Sequence, residues 1–223
     1  MRGNRGVKRI LEPELMDDPS QANAYAAADF ADVNQSFVDR FLALCGQLDN
    51  ARVVDLGCGP GDIALRLAAA RPSICVTGVD GAASMLALAR ADADRRGLAD
   101  RVSWVHARLP GALPDEQFDA VVSNSLLHHL PDPDVLWAEI GAIAAADAPV
   151  LVVDLMRPTH RHRARELVDT YAAGEPDVLR TDFYNSLLAA FTADEVQAQL
   201  DSRGLPLEIE IISDRHLAIS GRL

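Results

Sequence analysis

The hydrophobic period of the chain changes near residue 50, and that change predicts its elements. Phe37, Phe41, Leu44 and Leu48 recur at i, i+4, i+7 and i+11, the stripe of an amphipathic helix that needs a core to cover it. From Arg52 onward short β-branched runs, RVVDLG, ICVTGVD, VSWVHA, FDAVVSNS and VLVVDLM, are separated by stretches of helical periodicity. Alternation of that kind predicts right-handed βαβ units, hence a doubly wound α/β sheet. Local signals place the intervening helices. Asp62 is expected to cap the helix carrying Ile63 and Leu67, and Gly97 to stop the one carrying Met85 and Leu86. Asp132 and Pro133 read as N-cap and first residue of a helix whose Leu136, Ile140 and Ile143 share a face.

Beyond VLVVDLM the alternation breaks. Arg157 to Ala190 is rich in charged and aromatic residues, holds no clear strand, and reads as a helical insertion. Thr192 with Glu195 forms a capping box for a helix ending near Gly204, and two last strands, LEIEIIS and RHLAISGRL, are close enough to pair as an antiparallel hairpin. The 223 residues therefore divide as one domain: 1–50 as N-terminal tail and lid helices, 51–156 as core, 157–190 as helical lid, and 191–223 as last helix and terminal hairpin.

Composition narrows the class. A hydrophobic fraction of 49% with 24% charged residues is that of a packed globular protein. The net charge of -12 would repel a phosphate backbone, which argues against nucleic acid as partner. The basic cluster Arg2, Arg5, Lys8 and Arg9 reads as a solvated, mobile tail. Three cysteines, Cys45, Cys58 and Cys75, without C-x-x-C spacing suit reduced intracellular thiols, and with no long apolar run or secretion signal the expected location is the cytoplasm, away from membranes.

The sharpest chemical signal is VVDLGCGPG, residues 53–61, a strand running into Gly57, Gly59 and Gly61 and then a helix. Such a loop lets backbone approach a ligand closely. A dinucleotide loop would continue G-x-x-G, but Asp62 follows Gly61, and Asp55 sets a carboxylate where a pyrophosphate would lie. No Gly-Lys-Ser/Thr follows for a phosphate-gripping loop. A carboxylate there suits a cationic ligand, and the acid ending the second strand, Asp80, can accept hydrogen bonds from both ribose hydroxyls.

Asp55, Gly57, Gly59 and Gly61, then Asp80, then FDAVVSNSLLHHLPDP, resemble the first, second and fourth motifs of the class I S-adenosylmethionine-dependent methyltransferases over roughly residues 51–154. The resemblance implies a seven-stranded, mostly parallel sheet with an antiparallel last strand, Rossmann-like, with helical additions at the N-terminus and after the fifth strand. It implies S-adenosylmethionine as cofactor and S-adenosylhomocysteine as product. By the same resemblance Asp55 and Gly57 hold the methionine amino group directly or through water, Cys58 fits the loop as a small residue, and Asp80 with Gly81 meets the ribose. Met85 would lie against the adenine, and Asn124 and Ser125 would border the methionine portion and the acceptor. An acid common in the family after the third strand is replaced by Arg108, so adenine recognition falls to the backbone of Ala107 to Leu109 or to guanidinium stacking.

Methyl transfer from a sulfonium is an in-line displacement, so the protein chiefly aligns acceptor and methyl carbon. His129, and less so His128, are the candidate bases, since both follow the fourth strand at the ligand-binding edge of the sheet. Tyr25, Phe30, Phe183, Tyr184 and Asn185 are candidates for the acceptor pocket, with Arg157 as anchor for an acceptor carboxylate. Ser123 and Asn124 after the fourth strand, and Leu155 and Met156 after Asp154, do not supply the acids a magnesium ion needs, so no metal is expected. A small-molecule acceptor is expected, with the chain as monomer or homodimer. The competing readings are a nicotinamide-dependent oxidoreductase on the same sheet and a non-catalytic cofactor-binding module.

Overall fold

The computed structural model describes residues 7–12, 22, 25, 30–113 and 116–223. Its centre is a seven-stranded sheet: β1 (Arg52–Leu56), β2 (Cys75–Asp80), β3 (Val102–His106), β4 (Ala120–Asn124), β5 (Pro149–Leu155), β6 (Leu207–Ile211) and β7 (His216–Arg222). The order across it is β3-β2-β1-β4-β5-β7-β6, with β1 to β5 parallel. The terminal hairpin forms as expected, and its second strand pairs antiparallel with β5, so the one reversed strand lies inside the sheet and β6 takes the edge. The sheet reverses its strand order between β1 and β4, and the crevice at that switch point lies at the strand ends carrying Asp55, Asp80 and Asn124.

Strands buried on both faces explain the runs of β-branched residues, because successive side chains feed opposite cores. Val53, Val76, Val122 and Leu151 join one core with Phe37 and Phe41 of α1 (Ala31–Cys45) and Leu67 of α2 (Asp62–Ala70). Val54, Val79, Val121 and Val152 join the other with Leu136, Trp137 and Ile140 of α4 (Asp134–Ile143). The predicted stripe of α1 ends one turn early: the helix stops at Cys45, and Leu48 packs against the core from the following loop. The remaining crossover helix is α3 (Ala83–Arg96), closed by Gly97 at φ 68°, a left-handed value that glycine adopts without penalty.

Two expected caps form differently. Asp62 is the first residue of α2 behind Gly61, and its carboxylate takes Asn34 Nδ2 at 2.9 Å and Arg66 Nε at 2.6 Å instead of capping the helix. Asp132 accepts from Asp134 N, but α4 begins one residue later than expected, at Asp134.

The helical insertion is present as α5 (Arg161–Tyr171) and α6 (Asp177–Ala189), built around a core of its own from Leu155, Leu167, Leu187 and Leu188. The capping box opens α7 (Ala193–Arg203): Thr192 Oγ1 accepts from Glu195 N at 3.3 Å, and Glu195 Oε2 accepts from Thr192 N at 2.9 Å. Thr192→Ala should cost about 1 kcal/mol and lower the thermal midpoint by about 2 to 4 °C, measurable by circular dichroism; an unchanged midpoint would show the cap to be dispensable.

The basic N-terminal cluster is only partly solvated. Arg2 and Arg5 lie outside the described residues and Lys8 is exposed, but Arg9 is docked. Its guanidinium donates to the carbonyls of Ala189 (2.6 Å), Leu130 (2.7 Å), His128 (3.0 Å) and Pro131 (3.2 Å), and sits 3.8 Å from the centroid of the Phe191 ring. Residues 7–12 thereby bridge the insertion and the segment after β4. No helix among the described residues is long and apolar enough to cross a membrane.

Candidate active site

The glycine loop is held from below by β2. Gly57 N and Cys58 N donate to Val79 O at 2.8 and 3.0 Å, and Gly59 N donates to Asp80 Oδ2 at 2.8 Å. Asp80 Oδ1 accepts from Ala82 N at 2.8 Å, so one carboxylate fixes both the loop and the start of α3. Gly57, at φ 72°, cannot carry a side chain, because a Cβ there would come within 2.8 Å of Leu126. Gly61 faces a different constraint. A Cβ at Gly61 would stand 2.5 Å from the Trp104 ring, and the residue is absent from the cleft wall; its glycine serves packing under the loop, a correction to its expected ligand contact.

Above the loop opens a cleft of about 600 Å³. Asp55, Gly57, Cys58 and Gly59 line it beside Asp80, Gly81 and Met85; Ala107, Arg108 and Leu109 form one end, and Asn124, Ser125 and His129 another part of the wall. Ser125 is held at φ 58°, in the left-handed region that non-glycine residues seldom occupy, with its N–H bound to Val153 O at 2.9 Å. Asp55 is buried, and its Oδ2 has no hydrogen-bond partner among the described residues. Burial, and next the charge of Asp80, push the Asp55 carboxyl up to about 7. An orphaned buried carboxylate beside a second acid is a site shaped for a cation.

Comparison with known proteins meets this geometry. Residues 53–147 match the family model described as a methyltransferase domain. An uncharacterized methyltransferase of Mycobacterium bovis is 32% identical over 160 residues, which cover 71% of this chain and 72% of the relative. The chain belongs to the class I S-adenosylmethionine-dependent methyltransferases. A trans-aconitate 2-methyltransferase of Streptomyces avermitilis is 35% identical over 119 residues, 51% of this chain and 41% of that protein. Among solved structures, a SAM-dependent methyltransferase from Aquifex aeolicus superposes with a TM-score of 0.65 at 17% identity, covering 92% of this chain and 98% of the other. A plantazolicin methyltransferase crystallised with SAH gives 0.66 at 12% identity, covering 92% of each chain. This methyltransferase thus has the seven-stranded architecture expected, and the nicotinamide reading is set aside.

Of the two adjacent histidines, His129 faces the cleft of this methyltransferase and His128 does not. His128 is buried away from the cleft, its Nδ1 2.6 Å from Asp154 Oδ1. Burial alone would lower its pKa, but the charge and hydrogen bond of Asp154 outweigh it and the net direction is up. His129 lines the cleft, yet burial and next the charge of His128 push its pKa down to about 3. It is therefore neutral but a weak proton acceptor, far below the range that suits a general base.

Tyr25 and Phe30 both line the cleft, as a tilted ring pair 5.0 Å apart, and Tyr25 packs beside Met85 and Ala82. Phe183, Tyr184 and Asn185 do not reach it: the two aromatics pack on the insertion's own core and Asn185 is exposed. Arg157 is also displaced from its expected role. Its guanidinium is spent on Ala190 O and on an ion pair with Glu195, tying the end of β5 to the capping box of α7. The residue that the sequence pattern did not reveal is Glu12, which lies against both histidines, 3.5 Å from His128 Nε2 and 3.2 Å from His129 Nδ1. Its separation of more than a hundred residues from them leaves no local signal.

Proposed function

We propose that this methyltransferase acts on a small-molecule acceptor, with Asp55 and the Gly57 carbonyl receiving the cofactor's ammonium, Asp80 its ribose hydroxyls, and Ala107 to Leu109 with Met85 its adenine. The observation that carries the cofactor half is the unpartnered, buried Asp55 oxygen beside Asp80 on one cleft wall. When bound, the cofactor supplies a methyl group made electrophilic by the adjacent sulfonium. The chain's own contribution is positioning: the loop fixes one partner, and Asn124, Ser125 and His129 wall the space left for the other. The Tyr25–Phe30 pair lines the cleft from the N-terminal side, where it would pack against the acceptor.

A small acceptor is favoured by the net charge of -12, which opposes nucleic acid. The relative named for trans-aconitate supports the same class. The test is to supply the protein and methyl-labelled S-adenosylmethionine to a cell extract and separate the products by ultrafiltration. Label should pass the filter in a small product other than the cofactor's own breakdown products; label retained on protein or RNA would overturn the reading. Phe30→Ala should lower kcat/KM for that acceptor by about tenfold, the worth of one lost aromatic contact of about 1 to 1.5 kcal/mol. Undiminished turnover would remove Phe30 from the pocket wall.

A further inference from the structure

The segment at residues 7–12 does more than brace the fold, because it delivers Glu12 to the two histidines. Glu12 Oε1 stands 3.5 Å from His128 Nε2 and 3.2 Å from His129 Nδ1, and the three atoms lie within 4.8 Å of one another. Glu12 Oε1 and His129 Nδ1 are buried with no hydrogen-bond partner among the described residues. Buried polar atoms rarely stay unsatisfied, and these two lie 3.2 Å apart without hydrogen-bond geometry, so one shared ligand would satisfy both.

We propose that Glu12, His128 and His129 form a three-ligand site for a divalent transition metal, zinc(II) or iron(II), beside the cleft. Ligand atoms bound tetrahedrally at roughly 2.0 to 2.1 Å stand about 3.3 Å apart, so the two measured spacings need little adjustment. Each of two ligands is also held from behind. Asp154 Oδ1 grips His128 Nδ1 at 2.6 Å, which orients Nε2 as the metal-facing nitrogen, the carboxylate–histidine support common to metal sites. Ser186 Oγ donates to Glu12 Oε2 at 3.2 Å, leaving Oε1 for the ion. Two imidazoles and one carboxylate suit zinc or iron and do not suit magnesium.

Three protein ligands leave a coordination position open, and His129 borders the cleft. An acceptor hydroxyl bound there would release its proton to solvent water more readily, leaving an oxygen anion for the methyl group, which neither histidine would produce as a base. This role rests on the small-acceptor reading above, whereas metal binding does not. Retention of metal is measured without cofactor or acceptor, so the two can fail separately.

The protein is stripped with chelator, dialysed against zinc(II), and its metal content measured; cobalt(II) substitution gives a visible spectrum that reports coordination. One equivalent of zinc and a cobalt spectrum of tetrahedral intensity are expected. Glu12→Gln and His129→Ala, both at half-buried positions, should retain the fold by circular dichroism and weaken zinc by more than the about 10- to 100-fold that loss of a supporting partner costs. His162→Ala, at the exposed His162–Glu166 pair 3.2 Å apart, should change nothing. Substoichiometric zinc in the wild type, unchanged retention in both ligand variants, or loss on His162→Ala would overturn the site.

Discussion

Asp80→Asn should weaken S-adenosylmethionine binding by about 100-fold. The carboxylate accepts from Gly59 N and Ala82 N, one on each oxygen, and borders the cleft where the ribose hydroxyls would bind, so it serves loop and ligand together. Hydrogen bonds to a charged group contribute roughly 1.5 to 3 kcal/mol each, and 1.4 kcal/mol is about tenfold in affinity. Asparagine keeps one carbonyl acceptor but sets its amide nitrogen against a backbone N–H, so it loses one hydroxyl contact and disturbs the loop as well. Isothermal calorimetry on the folded variant is the measurement, with the thermal midpoint as control. Affinity equal to wild type would remove Asp80 from the ribose site.

The second large effect is on pH. In the cofactor-free protein Asp55 titrates at about 7, raised by burial and by Asp80. A carboxyl raised in the folded state keeps its proton after the unfolded chain has lost its own, so between the ordinary carboxyl range and about 7 the cofactor-free protein loses stability as pH rises. A bound ammonium reverses the preference by favouring ionised Asp55. Cofactor affinity should therefore climb at close to tenfold per unit, about 1.4 kcal/mol, below pH 6 and level off toward pH 7 as Asp55 ionises unaided, a window that stays below the ordinary α-amino range. Binding at pH 6 should release close to one proton, seen as a dependence of the calorimetric heat on buffer ionisation enthalpy. Asp55→Asn should flatten the profile. A wild-type affinity independent of pH over this window would contradict the contact.

What the sequence made legible was local. Alternating Val53 and Val54 feed the two cores because the sheet is covered on both faces, and period alone reveals that. Gly97 and the Thr192–Glu195 box stop and start helices through groups within five residues of each other. The loop Asp55 to Gly61 and Asp80 carry their meaning in spacing, since a strand and the next strand end at the same edge. What was not legible depends on distant partners. Arg9 reads as a tail residue until the carbonyls around His128 and Ala189 surround it. His128 and His129 are adjacent and chemically identical, and only Asp154 and Glu12, from β5 and the N-terminal segment, separate their roles. Arg157 and Phe183 carry side chains fit for an acceptor pocket, but Glu195 and the core of the insertion claim them first.

The central claim, that Asp55 and Asp80 together receive a cationic, ribose-bearing cofactor, is tested most directly by a crystal structure with S-adenosylhomocysteine. The account predicts the amino group on the Asp55 side, within hydrogen-bond reach of its carboxylate or of a water it holds, and both ribose hydroxyls on Asp80. A bound ligand that leaves the Asp55 oxygen without a partner and its ribose away from Asp80 would contradict it.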